Sequence, residues 1–349
     1  MNSGLTTSRF LPPWSAAKES PHEKPDTDRL GELRSMIPLP QVHPDVTRVA
    51  SRLHGTGLTP PVAGSLQSVR EYLERLTEFV SASSTPLLEE RLLHFPAGGR
   101  SVPCKLYWPD SGSAPGLLFY CHGGGFRHGS LSGWDAPLRQ LVRDSGVAVL
   151  SIEYALAPEA PFPIAFDEVC SITQQVIAEG ALGDFAVTRF ALGGDSAGAN
   201  LALGAAVALR QRGVRSLQHL LLFYGVFSTD TESDSWQRLS GYAGHALSAD
   251  SMRQYWASYL QQNEADWRAQ PLQAELAGLP PTRLVVGDLD PLLDENLKLH
   301  QKLLDSGVES QLTVSPGLIH GVLRFCELAE VVRDLIAVEA QALRRSFTS

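Results

Sequence analysis

Positive charge is scarce in this sequence: 29 Lys and Arg stand against 38 Asp and Glu over 349 residues, a formal net charge of −9. A basic nucleic-acid surface is thereby excluded as the default reading, because gripping phosphates takes clustered cations. Cysteine is equally sparse. Cys104, Cys121, Cys170 and Cys326 are far apart and form no C-x-x-C pair, so neither a disulfide framework nor a zinc site is expected. No stretch approaches the roughly 18 consecutive apolar residues of a membrane span. The opening residues, MNSGLTTSRFLPPWSAAKES, also lack the cationic start and apolar run of a signal peptide. A cytoplasmic protein with no membrane or nucleic-acid partner is expected. Charged residues are few as well, 19% against 43% hydrophobic, which argues for a large buried core and against a disordered chain.

Residues 1–40 are proline-rich and aperiodic and read as an N-terminal extension. In residues 41–86 the apolar side chains Leu66, Val69, Leu73, Leu76 and Val80 recur every 3 to 4 positions, the period of an amphipathic helix that needs a face to cover. Residues 87–349 read as the main domain. Strands are expected at Leu88–Phe95, Val102–Trp108, Gly116–Cys121, Val147–Glu153, Arg189–Gly193, Leu217–Tyr224, Thr282–Val286 and Gln311–Val314. Their continuously apolar interiors fit a sheet covered on both faces, and helical stretches between the later strands make the connections βαβ crossovers. The expected fold class is α/β, a mostly parallel central sheet with helices on both faces. Residues 228–266 interrupt the alternation with a polar run and then an aromatic-faced helix, and an insertion at this point suits a lid.

Gly194-Asp195-Ser196-Ala197-Gly198 satisfies G-x-S-x-G, with a strand running into it and a small-residue helix running out. Such a turn projects the serine above the sheet, and its glycines remove Cβ atoms that would clash. Ser196 is the candidate nucleophile. His122-Gly123-Gly124-Gly125-Phe126 follows an earlier strand, so the amides of Gly123, Gly124 and Ala197 are expected to bind an oxyanion while His122 orients the loop. A serine needs a base. A lone loop histidine is ordinarily solvated, but His320 lies in a glycine-flanked loop after a strand, at the sheet edge that carries the serine, and the chain order Ser, Asp, His suits a triad. Four acids compete to orient it after the strand TRLVV. Asp290, held extended by Pro291, is preferred to Asp288; Asp294 and Glu295 read as solvated first-turn residues of the next helix. Phe126, Trp256 and Tyr259 are the candidate pocket residues, and Arg127 and His128 beside them are more polar than an acyl pocket needs.

From about residue 41 onward the chain resembles the hormone-sensitive-lipase-like family of α/β-hydrolases, bacterial carboxylesterases. The resemblance is carried by HGGGF at His122 to Phe126, YALAPEAPFP at Tyr154 to Pro163, GDSAGANLA at Gly194 to Ala202, LPP with DLDPLLDE at Leu279 to Glu295, and HGV at His320 to Val322. It implies Ser196 as nucleophile, His320 as base, Asp290 as its partner, and a cap built from the N-terminal helices and part of the insertion. The expected reaction is hydrolysis of a short-chain carboxylic ester, a small-molecule substrate, with no metal and no cofactor. Two alternatives stand beside it: an amidase or deacetylase of acetylated small molecules on the same triad, and a non-catalytic receptor on this scaffold. The oligomeric state is open, a homo-oligomer included.

Overall fold

Leu117–Cys121 (β3) and Ala148–Ile152 (β4) are buried along their whole length. In β3, Leu117, Phe119 and Cys121 enter one apolar core while Leu118 and Tyr120 enter another on the opposite face. That two-sided burial is what a continuously apolar strand requires, and each large side chain so buried contributes about 1.5–3 kcal/mol. The computed structural model describes residues 40–59, 65–242 and 247–348, all within the compact unit Leu39–Ser349. The proposed extension, up to residue 39, lies outside the described residues.

Six further strands complete an eight-stranded sheet: Glu89–Ala97 (β1), Arg100–Trp108 (β2), Phe190–Asp195 (β5), Leu217–Phe223 (β6), Thr282–Gly287 (β7) and Ser310–Ser315 (β8). The spatial order is β1-β2-β4-β3-β5-β6-β7-β8. A β1–β2 hairpin registered Glu89 to Trp108 forms one edge, and β2 runs antiparallel to β4. From β4 to β8 every pairing is parallel. The expected strands are observed to within about two residues, in a mostly parallel sheet as the sequence led us to expect.

Before the sheet come α1 (Pro44–Gly55) and α2 (Leu66–Val80), the latter capped by Ser65, whose hydroxyl accepts from the Ser68 amide. α3 (Asp135–Ser145) covers one sheet face; α4 (Ile164–Glu179) and α5 (Ala197–Gln211) cover the other. The insertion folds as α6 (Asp234–Leu239) and α7 (Ala249–Leu260), followed later by α8 (Leu293–Asp305) and α9 (Glu330–Thr348). α9 lies on the α3 face through Val332, Ile336 and Leu343. Leu76 and Val80 of α2 form a separate small cluster with Leu58, against which Phe325 and Leu328 pack. Among the described residues no helix is long and apolar enough to cross a membrane.

Candidate active site

β5 ends at Asp195 and α5 begins at Ala197, so the chain reverses at Ser196, whose φ of 53° lies in the left-handed region that a non-glycine residue rarely adopts. Close approach makes this turn possible. A Cβ on Gly198 would stand 1.9 Å from the Cys121 carbonyl oxygen, so only glycine lets α5 start directly against the end of β3. The Ser196 amide donates to the Phe223 carbonyl at 2.9 Å, which fixes the turn to the next strand.

Two loops bring partners to the serine. His320 follows β8, and its Nε2 is 2.9 Å from Ser196 Oγ. Its Nδ1 is 2.8 Å from Oδ2 of Asp290, which follows β7 and is fully buried. An ionised carboxylate only accepts, so Nδ1 carries the proton and Nε2 is left to accept from the serine hydroxyl. Oδ1 of Asp290 accepts from the Leu292 amide at 2.9 Å, and the Tyr224 ring meets His320 edge-on with centroids 4.9 Å apart. The neighbouring acids are engaged elsewhere: Asp288 accepts from Gly317 N–H at 2.7 Å and Asp294 from Ser235 N–H at 2.9 Å. Glu295 corrects the sequence reading. It is buried, not solvated, and accepts from Phe227 N–H at 2.6 Å, and burial pushes its carboxyl well above the usual range.

The glycine loop after β3 departs from expectation at one residue. The Gly123 amide already donates to Oδ1 of Asp195 at 2.8 Å, so it is not directed at an oxyanion. The Gly124 amide has no acceptor among the described residues, and Ala197 is the first residue of α5, where an amide has no intrahelical partner. His122 sits behind the loop. Its Nδ1 donates to the Gly123 carbonyl at 2.8 Å, its ring stacks on Tyr154 at 4.4 Å, and burial holds it down at about 4, so it is neutral. Asp195 is the residue that sequence reasoning passed over. It accepts from Tyr120 OH at 2.9 Å as well as from Gly123, and burial raises its carboxyl to about 6. Its signal was present: an acid ending an otherwise apolar strand, directly before the serine.

A cavity of about 310 Å³ opens over Ser196 and His320. Gly124, Gly125 and His128 border it below, Leu73 and Leu76 of α2 and Met252 and Tyr255 of α7 above. Phe126, Trp256 and Tyr259 are not among its lining residues, which corrects the expected pocket. They form a buried stack behind it, Phe126 lying on Tyr259 at 3.9 Å and 7°. The physical reason lies in the helix: Met252 and Tyr255, three residues apart, line the cavity, whereas Trp256 and Tyr259 are buried against Phe126. Arg127 places its guanidinium over the Tyr255 ring at 5.7 Å. Among the described residues no three His, Cys, Asp or Glu side chains are grouped as metal ligands would be.

Residues 118–324 match Abhydrolase_3, a family model of the alpha/beta hydrolase fold. The chain is 31% identical over 289 residues to an acetyl esterase of Salmonella choleraesuis (strain SC-B67), a match covering 80% of this chain and 87% of that protein. Among solved structures it is similar to EstE1, a thermophilic carboxylesterase cloned from a metagenomic library, with a TM-score of 0.78 and 30% identity over 82% of this chain and 99% of that one. It is also similar to a hyperthermophilic esterase from the archaeon Pyrobaculum calidifontis, with a TM-score of 0.82 and 26% identity over 88% and 100% of the two chains.

Proposed function

The chain belongs to the Abhydrolase_3 family of α/β hydrolases, within the hormone-sensitive-lipase-like carboxylesterases, and on that premise we propose that it hydrolyses short-chain carboxylic esters with Ser196 as its nucleophile. The observation that carries this reading is the continuous hydrogen-bonded line from Ser196 Oγ through His320 to Asp290, at 2.9 and 2.8 Å. Ser196 attacks the ester carbonyl as His320 Nε2 takes its proton. His320 then returns that proton to the departing alkoxide, leaving an acyl-enzyme. Water, deprotonated by the same nitrogen, attacks the acyl carbon, and the acid leaves as the proton returns to Ser196 Oγ. Asp290 keeps Nδ1 protonated and stabilises the imidazolium formed in each half-reaction.

The amides of Gly124 and Ala197 are assigned to the oxyanion, each such donor being worth about 3 kcal/mol in the transition state. The start of α5 adds favourable potential there. Asp195 acts on the first of these donors indirectly, by fixing Gly123 and so the path of the loop. The preference for short acyl groups rests on the cavity, about 310 Å³ and roofed by Leu73, Leu76, Met252 and Tyr255. Acetyl ester hydrolysis by a relative points the same way. The test is Ser196→Ala assayed with aryl esters of graded acyl length. A folded variant with no turnover, and a wild type fastest on the shortest esters, are expected; a variant keeping a tenth of wild-type turnover overturns the assignment.

A further inference from the structure

Arg324 lies in the short 3-10 turn Val322–Phe325, just after His320, and is 9% exposed. Its side chain borders the cavity over Ser196 and also an adjoining hollow of about 90 Å³. Nε donates to the Gly133 carbonyl at 3.2 Å, and Nη2 to Thr77 Oγ1 at 2.6 Å and to the Leu73 carbonyl at 3.3 Å. The guanidinium stands 5.2 Å from the Trp134 ring centroid. Every one of these partners is neutral. Among the described residues none bonds Nη1, and no carboxylate forms an ion pair with this arginine.

A cation taken out of water without a counter-ion is costly, and burial lowers this guanidinium to about 10 without discharging it near neutrality. The other charges around it do not answer it. Arg70 is committed to Glu159 at 2.7 Å and to the Arg127 carbonyl at 2.9–3.0 Å. His128 is held neutral, pushed down to about 3 by burial and by Arg324 itself. Asp290 is paired with His320, and the exposed Glu74 borders only the adjoining hollow. Asp195, 3% exposed, attracts Arg324 at longer range, but its Oδ1 already accepts from Tyr120 OH and the Gly123 amide, and its Oδ2 from Tyr224 OH at 3.4 Å.

We infer that Arg324 makes this cavity select esters that carry a carboxylate on their acyl or alcohol portion, with Nη1 as the donor that meets it. The inference rests on the esterase reading and names its substrate class. Guanidinium presents fixed donors to a planar carboxylate, and the neutral bonds on Nε and Nη2 hold it ready, so little ordering remains to be done on binding.

Two matched ester pairs test it on the full chain, with uncatalysed rates subtracted. The acyl pair is a nitrophenyl hemiglutarate and its neutral methyl ester; the alcohol pair is acetoxybenzoate and acetoxybenzamide. Wild type is expected to favour the charged member by about tenfold or more in kcat/KM in one pair, as a hydrogen bond to a charged group allows. Arg324→Gln should bring that ratio toward unity, and Arg324→Lys, which keeps the charge but not the fixed donors, should keep only part of it. General damage to the fold lowers both members alike and leaves the ratio standing, which a purely structural arginine would show and which overturns the inference. Should Arg324→Gln fail to fold, competitive inhibition of wild type by glutarate and by glutaramide decides: tighter glutarate supports the assignment and equal inhibition overturns it. Neutral esters turned over with no preference for either charged member sink the inference alone, whereas no turnover of any ester sinks the esterase reading with it.

Discussion

Asp288, Asp290, Asp294 and Glu295 crowd one loop and helix start after β7, and only Asp290 reaches a histidine. Asn at that position presents an amide N–H to Nδ1 and so favours the tautomer that protonates Nε2, which can no longer accept from Ser196. A serine hydrolase of this logic loses up to ~10⁴ in kcat on such a change. Asp290→Asn should be that severe, while Asp288→Asn and Asp294→Asn should cost far less. Glu295→Leu belongs to another kind of effect. It strands the Phe227 amide in the interior, so stability should fall by about 1–3 kcal/mol. Measuring kcat and urea unfolding for the four variants separates the two; a critical Asp288 beside a near-normal Asp290→Asn would show the base to be oriented by a different acid.

At the scale of elements, the strands were legible because their two-sided burial writes continuous apolar runs, as LLFY in β3 and VAVL in β4. The serine turn was legible because glycines two residues either side are a steric requirement that sequence displays directly. Three-dimensional partnerships were not. Gly123 and Asp195 are 72 residues apart, so nothing local says that this amide is already taken. Glu295 begins a helix where acids are ordinarily solvated, and only the Phe227 loop above it converts that position into an interior one. Along α7 the aromatic residues Tyr255, Trp256 and Tyr259 could not be ranked by period alone, since which of them meets the cavity depends on how the helix is rotated against the stack on Phe126. Tyr255→Ala should therefore lengthen the usable cavity. The ratio of kcat/KM for hexanoate over acetate aryl esters is expected to rise by about tenfold, the low end of what a single methylene is worth in an apolar pocket, and an unchanged ratio would remove α7 from the wall.

For the whole molecule, the buried Asp195 ties catalysis to stability. Its carboxyl is raised from 3.8 to about 6, so the native state holds a proton that the unfolded chain has released. The resulting stability is fully present below about 4 and is lost as pH rises through about 6, a change on the order of 3 kcal/mol. The buried His122, lowered to about 4, works in the opposite sense, favouring the native state as pH rises toward the ordinary histidine range. Wild type is therefore best compared with Asp195→Asn, which cannot ionise. The stability difference between them, from urea unfolding across this range, should shift in favour of the variant as pH rises, and a difference independent of pH would contradict the burial argument. Activity should fall less in Asp195→Asn, whose amide oxygen can still accept from Gly123, than in Asp195→Ala, where that acceptor is gone.

All of these expectations presuppose that ester cleavage passes through a covalent bond to Ser196, and one measurement meets that claim directly. Full-length protein is treated with a nitrophenyl alkylphosphonate, its residual esterase activity is followed, and the adduct is located by mass spectrometry of the digested chain. The account predicts a single modification on Ser196 whose extent matches the activity lost. Full inactivation with Ser196 unmodified, or a fully labelled Ser196 in an enzyme that still turns over esters, would contradict it.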